Sequence, residues 1–164
     1  MRASQQRKYQ LAQLLKLHQK RVKACESRYH EAVKERDKAA EDVHTRQASI
    51  TQLETERSDL FRYLDEPAVL QSPAKVERVH VRRYWVEYDL EKHEYYLDLD
   101  QQALEEADEQ LKTAKADWLR ARYRESGVQN MYRNTLREIA LSDEQMQEME
   151  SEDAQSVFPL GGVL

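Results

Sequence analysis

Apolar residues recur along the first third of the chain at a fixed step. From Leu11, alternating steps of four and three residues run through Leu15, Val22, Tyr29, Val43 and Ile50 to Leu64 without a slip, and 12 of the 16 positions are apolar. A 3.5-residue period held over so many heptads is the signature of a coiled-coil helix. No Gly or Pro interrupts it, as one continuous helix requires. The ladder stops at Asp65-Glu66-Pro67 and Gln71-Ser72-Pro73, which bracket Ala68-Val69-Leu70. Each proline removes a donor and biases its predecessor away from α. Ser72 is placed to cap a new helix with Pro73 at its first position. The ladder restarts at Val76 and runs through Val86, Leu97, Leu111 and Trp118 to Ile139, with 14 of 19 positions apolar. Gly127, after Ser126, is the single glycine inside it. It weakens the helix locally by about 1 kcal/mol relative to Ala.

The expected fold is therefore all-α, a long two-helix antiparallel coiled coil, that is, an α-helical hairpin. Helix one covers about 5–64, the turn 65–74 and helix two about 75–150. A single hairpin domain takes up residues 1–154, and 155–164 are expected to be a mobile tail. Placing Leu64 opposite Val76 makes paired residue numbers sum to about 140. Arg36 then falls beside Asp100 and Leu104, and Arg46 opposite His93. His18 lies near Ala121 and Glu125, and Trp118 faces the smaller Val22 and Cys25. Arg57 meets Arg83, a like-charge layer that fits only if one arginine snorkels out of the seam.

Composition narrows the class. Of 164 residues 35% are charged, and only three are Gly and three Pro. That is too little turn chemistry for an all-β protein or a Gly-rich phosphate loop. One cysteine precludes an internal disulfide framework or a Cys-based zinc cluster. No apolar run approaches the ~18 residues of a membrane span, and the first ten residues lack the apolar stretch of a secretory signal. These features lead us to expect a soluble, reduced, intracellular chain. The net charge of -5 is unevenly spread. Residues 1–38 carry 11 basic and 4 acidic side chains, residues 87–110 carry 10 acidic and 1 basic, and residues 138–153 carry 7 acidic and none basic. Basic and acidic segments attract each other if they lie side by side, and otherwise offer opposite surfaces to partners.

Catalytic chemistry has little support. His18, His30, His44, His80 and His93 never pair with another His or Cys at i, i+4. A two-helix rod does not enclose the ~300 Å³ that small-molecule sites usually need. Asp98 with Asp100, and the Glu105–Glu109 cluster, read as solvated faces. Cys25 falls in the seam as a small core residue. No catalytic residue, metal or cofactor is expected. Two surfaces stand out instead. Near the turn, Phe61, Arg62 and Tyr63 precede it, and Arg78, His80, Arg82, Arg83, Tyr84, Trp85 and Tyr88 follow it. Aromatics outside the seam, mixed with Arg, have the composition of protein-binding hot spots. The plainer alternative is a satellite core over Ala68-Val69-Leu70. Tyr95 and Tyr96 extend the aromatic face. The second surface is the basic run Arg7, Lys8, Lys16, Lys20, Arg21, Lys23 and Arg28. The acidic second helix beside it, and a pI near 5.6, favour a protein partner with acidic surfaces over nucleic acid.

The chain resembles the YscO family of type III secretion stalk proteins, related to the flagellar protein FliJ. The likeness rests on Leu14-Leu15-Lys16-Leu17-His18, Lys20-Arg21-Val22-Lys23 and Arg28-Tyr29-His30-Glu31-Ala32-Val33. It rests also on the short Pro-containing turn, the chain length and the acidic C-terminal region, and covers about residues 5–150. The resemblance implies a coiled-coil stalk, monomeric in solution, in the cytoplasm at the cytoplasmic face of the secretion apparatus. The end bearing both termini would enter the hexameric secretion ATPase and activate it, with Lys16, Lys20, Arg21 and Lys23 facing the ring. The turn side would contact the cytoplasmic ring of the export gate through Phe61, Tyr63, Arg82, Arg83, Tyr84 and Trp85. Export chaperones would bind as well. The apolar segment Val157–Leu164 lies outside this pattern. The rival class is a generic coiled-coil scaffold or adaptor, favoured by a homodimer through the non-seam aromatics. A nucleic-acid arm and an enzyme rank below both.

Overall fold

The computed structural model describes residues 2–157. They form three helices: α1 (Arg2–Leu64), α2 (Pro67–Leu70) and α3 (Pro73–Val157). No strand occurs among the described residues. The long helices are uninterrupted over 63 and 85 residues. α3 passes through Gly127 without positive φ and ends at Val157, beyond the expected end near 150. Residues 158–164, most of the expected tail, lie outside the described residues.

The turn is built as the breakers require. The last turn of α1 tightens, with Asp65 N–H donating to the Arg62 carbonyl and Glu66 N–H to that of Tyr63, both at 3.2 Å. Such i→i+3 bonds satisfy carbonyls that lack α-helical partners. Glu66 is extended (φ -74°, ψ 127°), as the residue before a proline should be, and Pro67 opens α2. The Glu66 carbonyl accepts from Val69 and Leu70 at 3.0 and 3.2 Å. This one-turn helix was not foreseen. It turns Val69 inward to 2% exposure and leaves Leu70 61% exposed. Ser72 stands at the N-cap position of α3, its carbonyl accepting from Val76 at 3.1 Å.

Both ladders carry the burial. All 16 ladder positions of α1 and all 19 of α3 are half-buried or buried, while most positions between them are exposed. No residue of α1 is fully buried. On α3, Val79, Val86, Leu90, Ala107, Val128 and Thr135 are. Val86 is the most enclosed apolar side chain, at 0% exposure. Thr135 is the one buried polar residue among those described, and its hydroxyl donates to the Met131 carbonyl at 3.0 Å. A local bond of this kind removes the cost of burying a hydroxyl.

The chain divides into two compact units. One comprises Met1–Ser27 with Lys115–Leu164, and the other Arg28–Ala114. In the first, Arg7 of α1 reaches Glu138 of α3 at 4.0 Å. In the second, Glu56 meets Arg82, Arg46 meets His93 and Asp100, and Arg36 meets Asp108. The α3 partner thus moves away from the turn as the α1 partner does.

One layer assignment needs correction. Arg36 does not meet Asp100. Its Nε donates to Asp108 at 3.0 Å, about two helical turns further along α3. Asp100 is already engaged by Arg46, whose Nε donates to it at 3.0 Å while Nη1 lies 3.0 Å from His93 Nδ1. One arginine thereby spans a full heptad of its neighbour. Arg83, expected in a like-charge layer with Arg57, has partners of its own. Arg83 pairs within its own helix with Glu87 at 3.2 Å and lies 4.3 Å over the Phe61 ring.

Candidate partner-binding surfaces

The first unit displays the basic run. Lys16, Lys20, Arg21 and Lys23 occupy α1 positions between the ladder residues Leu15, His18, Val22 and Cys25, and all four are exposed. The heptad explains this: with the ladder turned inward, the intervening positions face water. Leu14 and Leu17 are also exposed, at 39% and 44%. Apolar side chains therefore interleave with the cations, which the charge count alone did not reveal.

The second unit displays the aromatic and arginine surface. Phe61 and Tyr63 are partly exposed on the last turn of α1; Tyr84, Trp85 and Tyr88 are 64%, 51% and 52% exposed on α3. They do not form a satellite core: Val69 is buried but these rings stay open to solvent. The three α3 rings contact one another edge to face. Trp85 makes edge contacts with Tyr84 and Tyr88, at centroid separations of 5.5 and 5.9 Å. Tyr95 and Tyr96 pair in the same way at 5.6 Å, and Arg46 lies 5.1 Å over Tyr96.

Arg82 and Arg83 of this surface each have a carboxylate partner. Arg82 makes a two-pronged contact with Glu56, Nε to Oε1 at 2.6 Å and Nη2 to Oε2 at 3.0 Å. The Glu56 hydrogen bond, then its charge, raises the Arg82 guanidinium above its ordinary value. The Asp108 hydrogen bond does the same for Arg36. Both cations stay charged through the physiological range. Next to Arg82 lies an open groove of about 420 Å³, lined by Ala74, Glu77, Arg78, Val81, Arg82 and Trp85. All six come from one face of α3, so it is a surface for a side chain, not an enclosed ligand site.

Among the described residues, no group of three or more His, Cys, Asp or Glu is arranged to hold a metal ion, and no helix is long and apolar enough to cross a membrane. Cys25 is half-buried and free. No protein-family model, no curated protein and no solved structure matches the chain. The fold and these two surfaces define its class: an all-helical protein with two long helices and exposed basic and aromatic faces.

Proposed function

We propose that α1 and α3 form one antiparallel coiled-coil hairpin, and that the protein is a non-catalytic stalk of a type III secretion system, as its resemblance to the YscO family implies. In this reading it links the hexameric secretion ATPase to the export gate, promotes ATP hydrolysis and binds export chaperones. The hairpin is supported by the ion pairs of the second unit, whose partners separate from the turn together. The observation that carries the functional reading is the pairing of unbroken long helices with two chemically distinct exposed surfaces. Lys16, Lys20, Arg21 and Lys23 are free of the ladder and suit an acidic surface on the ATPase ring. Phe61, Tyr63, Arg82, Arg83, Tyr84 and Trp85 suit a hot-spot contact with the gate, with aromatic anchors and arginines.

The test is ATP hydrolysis by the cognate secretion ATPase, measured with the native chain and with a charge-reversal variant at Lys16, Lys20, Arg21 and Lys23. Stimulation by the native chain and none by the variant supports the stalk. If the native chain neither binds nor stimulates, the protein is a coiled-coil scaffold.

A further inference from the structure

α3 carries a second apolar ladder that α1 does not use. Ala74, Val81, Trp85, Tyr88, Tyr95 and Leu99 are all exposed. With Arg78 and Lys92 they complete an unbroken series of alternating four- and three-residue steps from 74 to 99. A 3.5-residue period specifies its occupant: another α-helix, crossing at a shallow angle. The stripe extends about 38 Å along the helix and lies entirely within the second unit.

Charge says which helix. Residues 74–86 carry four basic and one acidic side chain, and residues 87–99 carry five acidic and one basic. A helix that is basic in one half and acidic in the other repels a parallel copy of itself and attracts an antiparallel one. We infer that this stripe is a self-association surface, on which α3 of a second copy packs antiparallel about a two-fold axis between Trp85 and Tyr88.

The side chains match under that symmetry. Trp85 meets the partner's Tyr88 at the centre. Val81 lies along the aliphatic stem of the partner's Lys92. Arg78 faces the ring of the partner's Tyr95, and the small Ala74 faces the large partner's Leu99. The groove beside Ala74, Arg78, Val81 and Trp85 is thus where the partner's Tyr95 and the partner's Leu99 seat. Along the flanks, Lys75 approaches the partner's Asp98, and Arg82 the partner's Glu91. Each contact occurs twice, as an isologous interface requires.

The inference stands apart from the secretion reading. A scaffold would keep this pairing permanently; a stalk would use it at rest, covering Trp85 and Arg82 until the gate displaces the second copy. The test is sedimentation equilibrium of the full chain with two variants, Lys75→Glu/Arg78→Glu and Glu94→Lys/Asp98→Lys. The native chain should reach twice its 19.5 kDa at about 100 µM, a concentration that reveals even modest affinity. Each variant alone should stay monomeric, and an equimolar mixture should recover the dimer mass. That recovery also shows that both variants are folded. A native chain still monomeric at that concentration, a variant that dimerises alone as well as the native chain, or a mixture that stays monomeric overturns the proposal. ATPase stimulation reads the stalk function separately.

Discussion

Replacing Gly127 by Ala should stabilise α3, and the size of the effect follows from three local observations. The residue lies in the interior of an 85-residue helix. Its backbone has no positive φ, so an L side chain is accommodated without strain. A Cβ added there meets nothing within 4 Å, so no neighbour has to move. What remains is the intrinsic difference between the two residues in an exposed helix, about 0.8–1.0 kcal/mol in favour of Ala, largely from the backbone freedom that Gly loses on folding. Native-state hydrogen exchange is the suitable assay, because an 85-residue helix opens segment by segment and a single melting temperature averages over those openings. Amides from about 124 to 131 should exchange roughly 5-fold more slowly, while amides near the turn are unchanged. An unchanged or faster rate at 124–131 would refute the reasoning. It would mean that the helix is not continuous at Gly127, or that this segment is not where α3 opens. The same variant probes the stalk reading. If the stalk relies on the local weakness that Gly127 gives α3, ATPase stimulation or secretion should change; if both are unaffected, that weakness serves no function there.

Val86→Ala removes two methyl groups' worth of contact from the most enclosed apolar position and should cost about 2 kcal/mol, read by chemical denaturation. Asp100→Ala leaves Arg46 with its His93 and Tyr96 contacts but no carboxylate, in a site where the Arg46 and Asp100 side chains are 29% and 22% exposed. It should cost about 1–2 kcal/mol. Asp108→Ala should cost less, because Arg36 and Asp108 are 43% and 44% exposed and water replaces the lost partner. Reversing Lys16, Lys20, Arg21 and Lys23 should change stability by no more than about 0.5 kcal/mol per site, since all four are exposed. Circular dichroism melts that match the native chain would check this, and would let any loss of ATPase binding be read as a surface effect.

Much of the helix architecture was legible because its signal is long. A period repeated over many heptads averages out single exceptions, so His18, Arg46 and Asp100 kept their places on the protected face although none is apolar. The breakers at Pro67 and Pro73 set the ends of α1 and α3 for the same local reason that prolines always do. α2 was missed because four residues are too few for any period; only Pro67 at its start hinted at it. The partner of Arg36 was missed because a ladder gives the height of a side chain's origin and not its reach. A guanidinium on a flexible stem selects among carboxylates a turn or two away, and the nearer one was taken by Arg46. Both candidate surfaces were visible as residues left over once the ladder was removed. The regular spacing of the α3 surface residues was not, because the stronger ladder of the same helix hides it.

The unbroken heptads also constrain how such a chain can change length. Deleting one residue inside α1 rotates everything beyond it by about 100°, turning the protected positions toward water and the exposed lysines and glutamates inward. A loss or gain of seven leaves every face in place. Point substitutions at the exposed sites are cheap, but insertions and deletions in the body of either long helix keep every face in place only in whole heptads, and changes of three or four residues require local over- or under-winding. Other lengths must be absorbed where no ladder runs, in 65–75 around α2 or beyond Ile139. Alignments that place gaps of one or two residues inside 11–64 or 76–139 would for this reason be misaligned, and length polymorphism in this protein should be counted in sevens.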